Sequence, residues 1–581
     1  MKRTKIVCTI GPSSQDKEVL KKLIEEGLDV CRLNFSHGTH EEHQAKINTI
    51  KELREEMNLP IAIMLDTKGP EIRLGNFKDN MTVTLKDNDK FILTTREVEG
   101  DENIVSVSYK GLPQDLKVGS KVLIDDGLVG CVVDEIDGTE IKLTVESGGI
   151  ISSHKGVNVP NADIKLPALT EKDKEDLKFG IKNDVDFIAA SFIRTKDDVL
   201  EIRKVLEENG NYDIRIISKI ESRQGLANID EIIEVSDGIM VARGDLGVEI
   251  ATEEVPIAQK NIIKKCNLKS KPVITATQML DSMIRNPRPT RAETTDVANA
   301  VLDGTSAVML SGESASGKYP VEAVKTMRKI VEVAEDSINY NDLLTKLINE
   351  MSNTTTNAIG KSTCTIARDL GAKAILTATT SGYTTRAISK FRPEAEIIAT
   401  TTSQKVRRQL SLEWGIKSIL VDNYTNTDQV IENSVTRALE EKLVSPGDIV
   451  IITAGVPVGL AGSTNLIKVQ TIAEILCKGT GMGKSKVTAK AVVCKNPDDL
   501  LKEFKDGDII VTNSTDKDIM PFVEKCAGIV AETAGYTSHA AVTGVTLGIP
   551  TIVGARGATG KIKTGDIITL DASDGTVKKG L

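Results

Sequence analysis

Eight short aliphatic runs, each ending in polar or glycine residues and each followed by a helix-like stretch, constrain this chain's fold most. They start near Lys5, Asp29, Ile61, Asp186, Ile214, Gly238, Pro272 and Ala307. Unbroken runs such as DFIAASFIR and GIMVARGDLG suit strands buried on both faces, where no polar alternation is required. The stretches between them, such as SQDKEVLKKLIEEG, carry an acidic first turn, apolar residues at helical spacing and a closing glycine. Eight such units in series predict a (β/α)8 TIM barrel of the α/β class. The strand starts are 24, 32, 125, 28, 24, 34 and 35 residues apart, so an insertion follows the third strand.

Inside that insertion the pattern changes. MTVTLKD, FILTT, KVLIDDGLVGCVVDE and TEIKLTVES are rich in β-formers, with hairpin turns expected at Asp126-Gly127 and Asp137-Gly138. The reading is an inserted all-β lid domain at 74–160, hung on a βα connection at the face where such barrels do their chemistry, with a merely structural insert as the alternative. The barrel then takes 1–73 and 161–344. A separate α/β domain is expected at 345–475, with strands in KAILTATT, AEIIATTT, KSILVD and DIVIITAG. The glycine- and lysine-rich stretch 476–486 reads as a linker, and 487–581 as an extra α/β domain.

Charge and cysteine content remove several classes. With 74 Lys+Arg against 83 Asp+Glu the formal charge is −9, which disfavours nucleic acid, and 3% aromatic residues disfavour base stacking. No run approaches the roughly 20 apolar residues of a membrane span. Eight scattered cysteines without a CxxC pair argue against a disulfide scaffold and for a reducing cytoplasm, each as a small core residue.

Charged groups at the ends of apolar strands are costly to bury unless they bind something. The second strand ends in Arg32, Asn34, Ser36 and His37; the third in Asp66, Thr67 and Lys68, with Glu71 and Arg73 beyond. The fifth offers Lys219 and Glu221, the sixth Arg243 and Asp245, the seventh Thr277 and Gln278. Side chains repeat every second residue along a strand, so Lys219 and Glu221 point to one side. Glu221 and Asp245 make a carboxylate pair suited to Mg²⁺, which keeps few protein ligands; a structural ion pair inside the barrel is the alternative. Gly244 opens a helix whose amides could hold an anion. Asn34, Ser36, Asp66 and Thr67 offer neutral oxygens plus one carboxylate, suited to a large monovalent cation or to hydrogen bonding between strand ends. His37, His40 and His43 lack the partners of a zinc site, and His40 and His43 read as solvent-facing residues of a helix's first turns.

The strings VCRLNFSHG, LDTKGPEIR, KGVNVP, IISKIES, MVARGDLGVE, TATQMLDSM, PRPTRAE and MLSGES, in this order, resemble the pyruvate kinase family across roughly residues 1 to 475. That resemblance implies a glycolytic transferase that moves phosphoryl from phosphoenolpyruvate to ADP, giving pyruvate and ATP. It makes Lys219 the transition-state lysine, Arg32 a phosphate contact and Thr277 part of the proton relay to enolpyruvate, the three catalytic residues. Substrate binding would involve Arg32, Lys219, Gly244, Asp245 and Thr277. Nucleotide would meet Asn34, His37, Arg73 and Lys155, where many relatives carry a second basic residue at the position of His154. Glu221 and Asp245 would hold Mg²⁺, with Mn²⁺ as a substitute; Asn34, Ser36, Asp66 and Thr67 would hold K⁺, and Glu71 is the residue type of K⁺-dependent members. A homotetramer is implied by the family.

In TATTSGYTTR, a strand ends in Thr379, Thr380, Ser381 and Gly382, and a helix is expected from near Thr384. With Thr385 this forms a candidate phosphate nest resembling the family's sugar-phosphate effector loop, a capped helix without a ligand being the alternative; fructose bisphosphate, ribose phosphate and AMP all remain open. The last domain's AGYTSHAAVTGVTLGIP resembles the swivelling phosphohistidine domain of other phosphoenolpyruvate-using enzymes, with His539 at the phosphorylated position. Because no further nucleotide-binding domain is evident to feed it, a structural or regulatory appendage is the favoured reading. Rival readings are a dikinase-like enzyme working through His539, a Mg²⁺-dependent barrel lyase or aldolase, and a non-catalytic binding protein.

Overall fold

The computed structural model describes residues 2–160, 162–423, 426–456 and 464–580. The eight aliphatic runs form β1 (Lys5–Thr9), β2 (Val30–Asn34), β3 (Ala62–Asp66), β4 (Phe187–Ala190), β5 (Arg215–Ile220), β6 (Gly238–Ala242), β7 (Val273–Ala276) and β8 (Ala307–Leu310). They pair in parallel and close into a barrel in the order β1-β8-β7-β6-β5-β4-β3-β2. Both faces are covered, which is why no polar alternation marks them. Val30, Met64, Phe187, Ile217, Met240 and Ile274 fill the interior, joined by Leu412 from beyond the barrel. Cys31, Ile63, Ile188, Ile216, Ile239 and Val273 pack outward against the helices. Each large side chain so buried contributes about 1.5–3 kcal/mol of transfer free energy. Capping boxes at Thr39/Glu42, Thr170/Asp173, Thr195/Asp198 and Thr290/Glu293 start four of the helices.

The insertion holds a six-stranded sheet and a two-stranded one (Val83–Leu85 with Gly149–Ile151), with its own core around Phe91, Leu93, Val122, Val133 and Leu143. Its hairpin after Ile124 turns through Asp125, Asp126 and Gly127, all at positive φ, and the second turn has Gly138 at φ +59°. Beyond the barrel a five-stranded sheet has the order Ile416–Leu420, Glu396–Thr401, Ala374–Ala378, Ile449–Ala454, Leu466–Thr471. The last of these strands gave no aliphatic run because it is half-exposed along most of its length.

The stretch 476–486 is not a linker. Glu474–Lys478 pairs with Thr576–Lys579, and Thr480–Met482 pairs with Thr551–Val553, placing both at the two edges of the final eight-stranded sheet. Gly479 and Gly481 serve close approach instead of flexibility. A Cβ on Gly481 would stand 1.9 Å from the Ala572 carbonyl oxygen, and one on Gly479 2.4 Å from that of Val553. All eight cysteines are buried and unpaired.

Candidate active site

The polar groups at the strand ends converge on the barrel mouth. Arg32 and Asp66 sit side by side on β2 and β3, where Asn34 pairs with Asp66 in register. Arg32 donates from Nε to Asp66 Oδ2 at 2.6 Å and from a terminal nitrogen to Thr9 Oγ1 at 2.8 Å. Lys219 Nζ, from β5, lies 3.1 Å from Asp66 Oδ1, 2.9 Å from Glu221 Oε1 and 2.7 Å from Ser191 Oγ. Burial would raise the Asp66 pKa, but Arg32 and Lys219 outweigh it and hold the carboxyl below its ordinary value. Burial likewise opposes the Lys219 charge, yet Asp66 and Glu221 overcome it and raise the lysine pKa. Asp66 is thus a single anion that bridges two cations.

Glu221 is 2% exposed, and burial raises its pKa; Lys219 opposes that shift while Asp245 adds to it. Asp245 is raised too, by burial against Lys219, with Asp126 contributing. One buried and one half-buried carboxylate that each resist ionisation form a donor pair that a divalent cation would relieve, so this pair fits Mg²⁺. Glu221, Asp245, Arg32 and Lys219 line a cavity of about 480 Å³, and Glu221 and Asp245 also face a second one of about 810 Å³ beneath the inserted domain.

Backbone geometry at the mouth is strained. Thr277, a β-branched residue, has φ +65°, and Phe192 has φ +55°; each such left-handed residue costs about 1–2 kcal/mol. Arg243 holds the first in place, donating to the carbonyls of Ala276 at 3.2 Å and Thr277 at 2.8 Å. The Gly244 amide donates to Thr277 Oγ1 at 2.8 Å, so two groups expected to receive substrate are bonded to one another. The Phe192 amide donates to Glu221 Oε2 at 2.6 Å.

The ends of β2 and β3 carry the other expected ligands. Asn34 Oδ1 accepts from the Ser36 amide at 3.1 Å, and Thr67 lies buried beside Asp66. His43 is not solvent-facing. It is 2% exposed, stacks on Phe35 at 3.9 Å and donates from Nε2 to the His37 carbonyl at 2.9 Å. The cause is helical phase: His43 heads the buried face that continues through Ile47, Ile50 and Leu53 of the helix His40–Glu56. Burial lowers its pKa to about 4. His40, half-buried, sits 2.6 Å from Asp176 Oδ1.

Arg73 and Lys155, the expected nucleotide contacts, already have acidic partners. Arg73 Nε donates to Glu71 Oε2 at 2.7 Å, a terminal nitrogen reaches the His154 carbonyl at 2.7 Å, and Lys155 Nζ pairs with Asp125 at 2.9 Å. In the candidate effector loop the helix runs from Tyr383 to Ser389 and Gly382 has φ +80°. Thr384 bonds Thr464 and Thr385 bonds Thr377, both buried, whereas Thr380 is exposed and the Ser381 carbonyl accepts from Arg215 at 2.8 Å. In the last domain His539 begins a helix capped by Ser538, with Nδ1 2.7 Å from Thr515 Oγ1.

Sequence reasoning passed over Ser191, Phe192 and the structural use of Arg243, and read His43 as solvent-facing. Ser191 and Phe192 end a strand without a charged group, so a search for stranded charges misses them. Position alone was the available signal: they stand at the C-terminal end of a barrel strand.

Known proteins resemble this chain along its whole length. The profile "Pyruvate kinase, barrel domain" matches residues 1–324, "Pyruvate kinase, alpha/beta domain" residues 357–470, and "PEP-utilising enzyme, mobile domain" residues 504–575. The pyruvate kinase of Geobacillus stearothermophilus is 51% identical over 100% of this chain and 99% of its own length; that of Bacillus licheniformis is 50% identical over the same shares. A crystal structure of a pyruvate kinase from Cryptosporidium parvum superposes with TM-score 0.77 at 42% identity, covering 81% of this chain and 96% of that one. With barrel, α/β domain and final domain all matched in order, the chain belongs to the pyruvate kinase family.

Proposed function

We propose that this chain transfers the phosphoryl group of phosphoenolpyruvate to ADP, giving pyruvate and ATP, at the mouth of its barrel. One observation carries the reading: Lys219 and Arg32 are locked on the two oxygens of Asp66, beside the carboxylates Glu221 and Asp245. Phosphoryl transfer is promoted mainly by positioning and by charge placed in advance, and two fixed cations supply both. Arg32 and Lys219 hold the phosphoryl oxygens, and Lys219 also stabilises the enolate left behind. Glu221 and Asp245 would hold Mg²⁺ or, in its place, Mn²⁺, and such an ion when bound neutralises charge on substrate oxygens. Asn34, Ser36, Asp66 and Thr67 would hold K⁺.

The substrate carboxylate binds at Gly244, Asp245 and Thr277, where the Thr277 hydroxyl gives up the Gly244 amide to it. Enolpyruvate then takes a proton at its methylene carbon, with Thr277 relaying it. Arg73 and Lys155, with Asn34 and His37, receive the nucleotide, whose phosphates replace Glu71 and Asp125 as partners of the two cations. Thr380, Ser381, Gly382, Thr384 and Thr385 mark the loop for a sugar-phosphate or AMP effector, and the working form is a homotetramer. Internal pairing of Thr384 and Thr385 leaves Thr380, the Ser381 hydroxyl and the backbone as its available contacts.

The test is pyruvate formation from phosphoenolpyruvate and ADP, coupled to lactate dehydrogenase, with and without Mg²⁺ and K⁺. Activity that needs both ions, is lost in Lys219→Met and persists in His539→Ala supports the reading. A wild type inactive under every ion condition overturns it, and loss only in His539→Ala moves the chemistry to the last domain.

A further inference from the structure

We propose that Ser191, at the end of β4, is a positioning residue that fixes where the Lys219 ammonium stands; the inference rests on the assignment of Lys219 to phosphoryl transfer. A lysine ammonium has three N–H donors. Here it hydrogen-bonds Asp66 Oδ1 and Ser191 Oγ and pairs with Glu221 Oε1, and the neutral serine makes the shortest contact, 2.7 Å. Two carboxylates alone leave the ammonium free to slide between them, because charge attraction is weakly directional. A third acceptor turns a line of contact into a fixed point.

The serine hydroxyl is itself oriented. It has one proton and lies 2.6 Å from the Thr67 carbonyl oxygen against 3.4 Å from Asp66 Oδ1, so the proton goes to Thr67 and a lone pair is left for Lys219. The Ser191 amide donates to Thr67 Oγ1 at 3.2 Å, tying the same two residues a second time. Ser191 is 4% exposed, and Gly69, at φ +71°, lets the chain pass where a Cβ would stand 2.8 Å from the Ser191 Cβ. The next residue completes the device: the Phe192 amide, held at positive φ, bonds Glu221 Oε2. The end of one uncharged strand therefore places both functional groups of its neighbour, Lys219 through a side chain and Glu221 through the backbone.

Ser191→Ala is the first variant, with Ser191→Thr as the conservative one that retains the hydroxyl; Ser191→Cys, of similar size, replaces it if the threonine chain does not fold. In the phosphoenolpyruvate/ADP assay, Ser191→Ala is expected to lose tenfold or more in kcat. Its KM for phosphoenolpyruvate should change less than about threefold, since an ill-placed lysine harms the transition state more than the bound substrate. Its thermal midpoint should stay near the wild type, and the hydroxyl or thiol variant should recover part of the lost kcat. A kcat within twofold of wild type in Ser191→Ala, or a loss that neither conservative variant restores, overturns the inference. Lys219→Met in the same series separates the two claims: if it stays active the parent assignment falls, whereas if it is inactive and Ser191→Ala is not impaired only the role of Ser191 falls.

Discussion

Asp66 on β3 and Lys219 on β5 meet at 3.1 Å across the barrel mouth, although β4 lies between their strands. The contact spans two strand spacings because both side chains point inward, and the other Asp66 oxygen is taken by Arg32. Asp66→Asn should therefore misplace two cations at once. We expect kcat to fall by about 100-fold or more, and stability to fall by about 3–5 kcal/mol, the scale for breaking a buried ion pair. Steady-state kinetics with chemical denaturation checks both; a kcat within fivefold of wild type would show that the cations hold their places unaided.

Thr277 is held in a conformation unfavourable to its own side chain, and its hydroxyl occupies the Gly244 amide. Thr277→Ala should keep or slightly raise the thermal midpoint while kcat falls by about 100- to 10,000-fold, the usual contribution of a positioned proton-transfer group. Thr277→Ser should stay close to wild type in kcat. If the alanine variant were as active as the serine one, the hydroxyl would have no part in the reaction.

His43 has a folded pKa of about 4, lowered by burial from 6.5. Between those values the unfolded chain binds a proton that the folded chain does not, so stability falls as pH drops from about 6.5 towards 4. Above pH 7 both states are neutral and this contribution is constant. Urea midpoints measured from pH 4 to 8 should show the slope, and His43→Gln should reduce it within that window only. An unchanged slope in the variant would assign the acid sensitivity elsewhere.

Gly481→Ala distinguishes a strand from a tether. In a tether the change is neutral or stabilising by about 0.4–1 kcal/mol. Against the Ala572 carbonyl it should destabilise the last domain by about 3 kcal/mol, the upper range for overpacking. Limited proteolysis and thermal unfolding report the difference, and an unaltered cleavage rate of that domain would restore the tether.

The barrel was legible because burial on both faces leaves an unbroken aliphatic signature, and Lys219 and Glu221 because charge inside that signature is conspicuous. What the sequence concealed is of three physical kinds. Ser191 acts through a neutral hydroxyl, whose contribution depends on where a lone pair points and leaves no mark on residue type. His43 lies in the first turn of its helix, where polar residues are ordinary, and only the phase of Ile47 and Ile50 behind it betrays burial. The glycines of 476–486 look the same whether they serve freedom or closeness, because the neighbour that decides the matter, Ala572, is about 90 residues away in the chain.

The eight buried cysteines make this chain its own unfolding clock. Burial raises the pKa of every one of these thiols, so little thiolate exists at neutral pH and a thiol reagent must wait for the surrounding structure to open. Cys8, Cys31 and Cys266 would time the opening of the barrel, Cys131 that of the inserted sheet, and Cys477, Cys494 and Cys526 that of the final domain. Mass mapping of labelled cysteines over time would thus give a separate breathing rate for each part of the molecule, with no engineered probe.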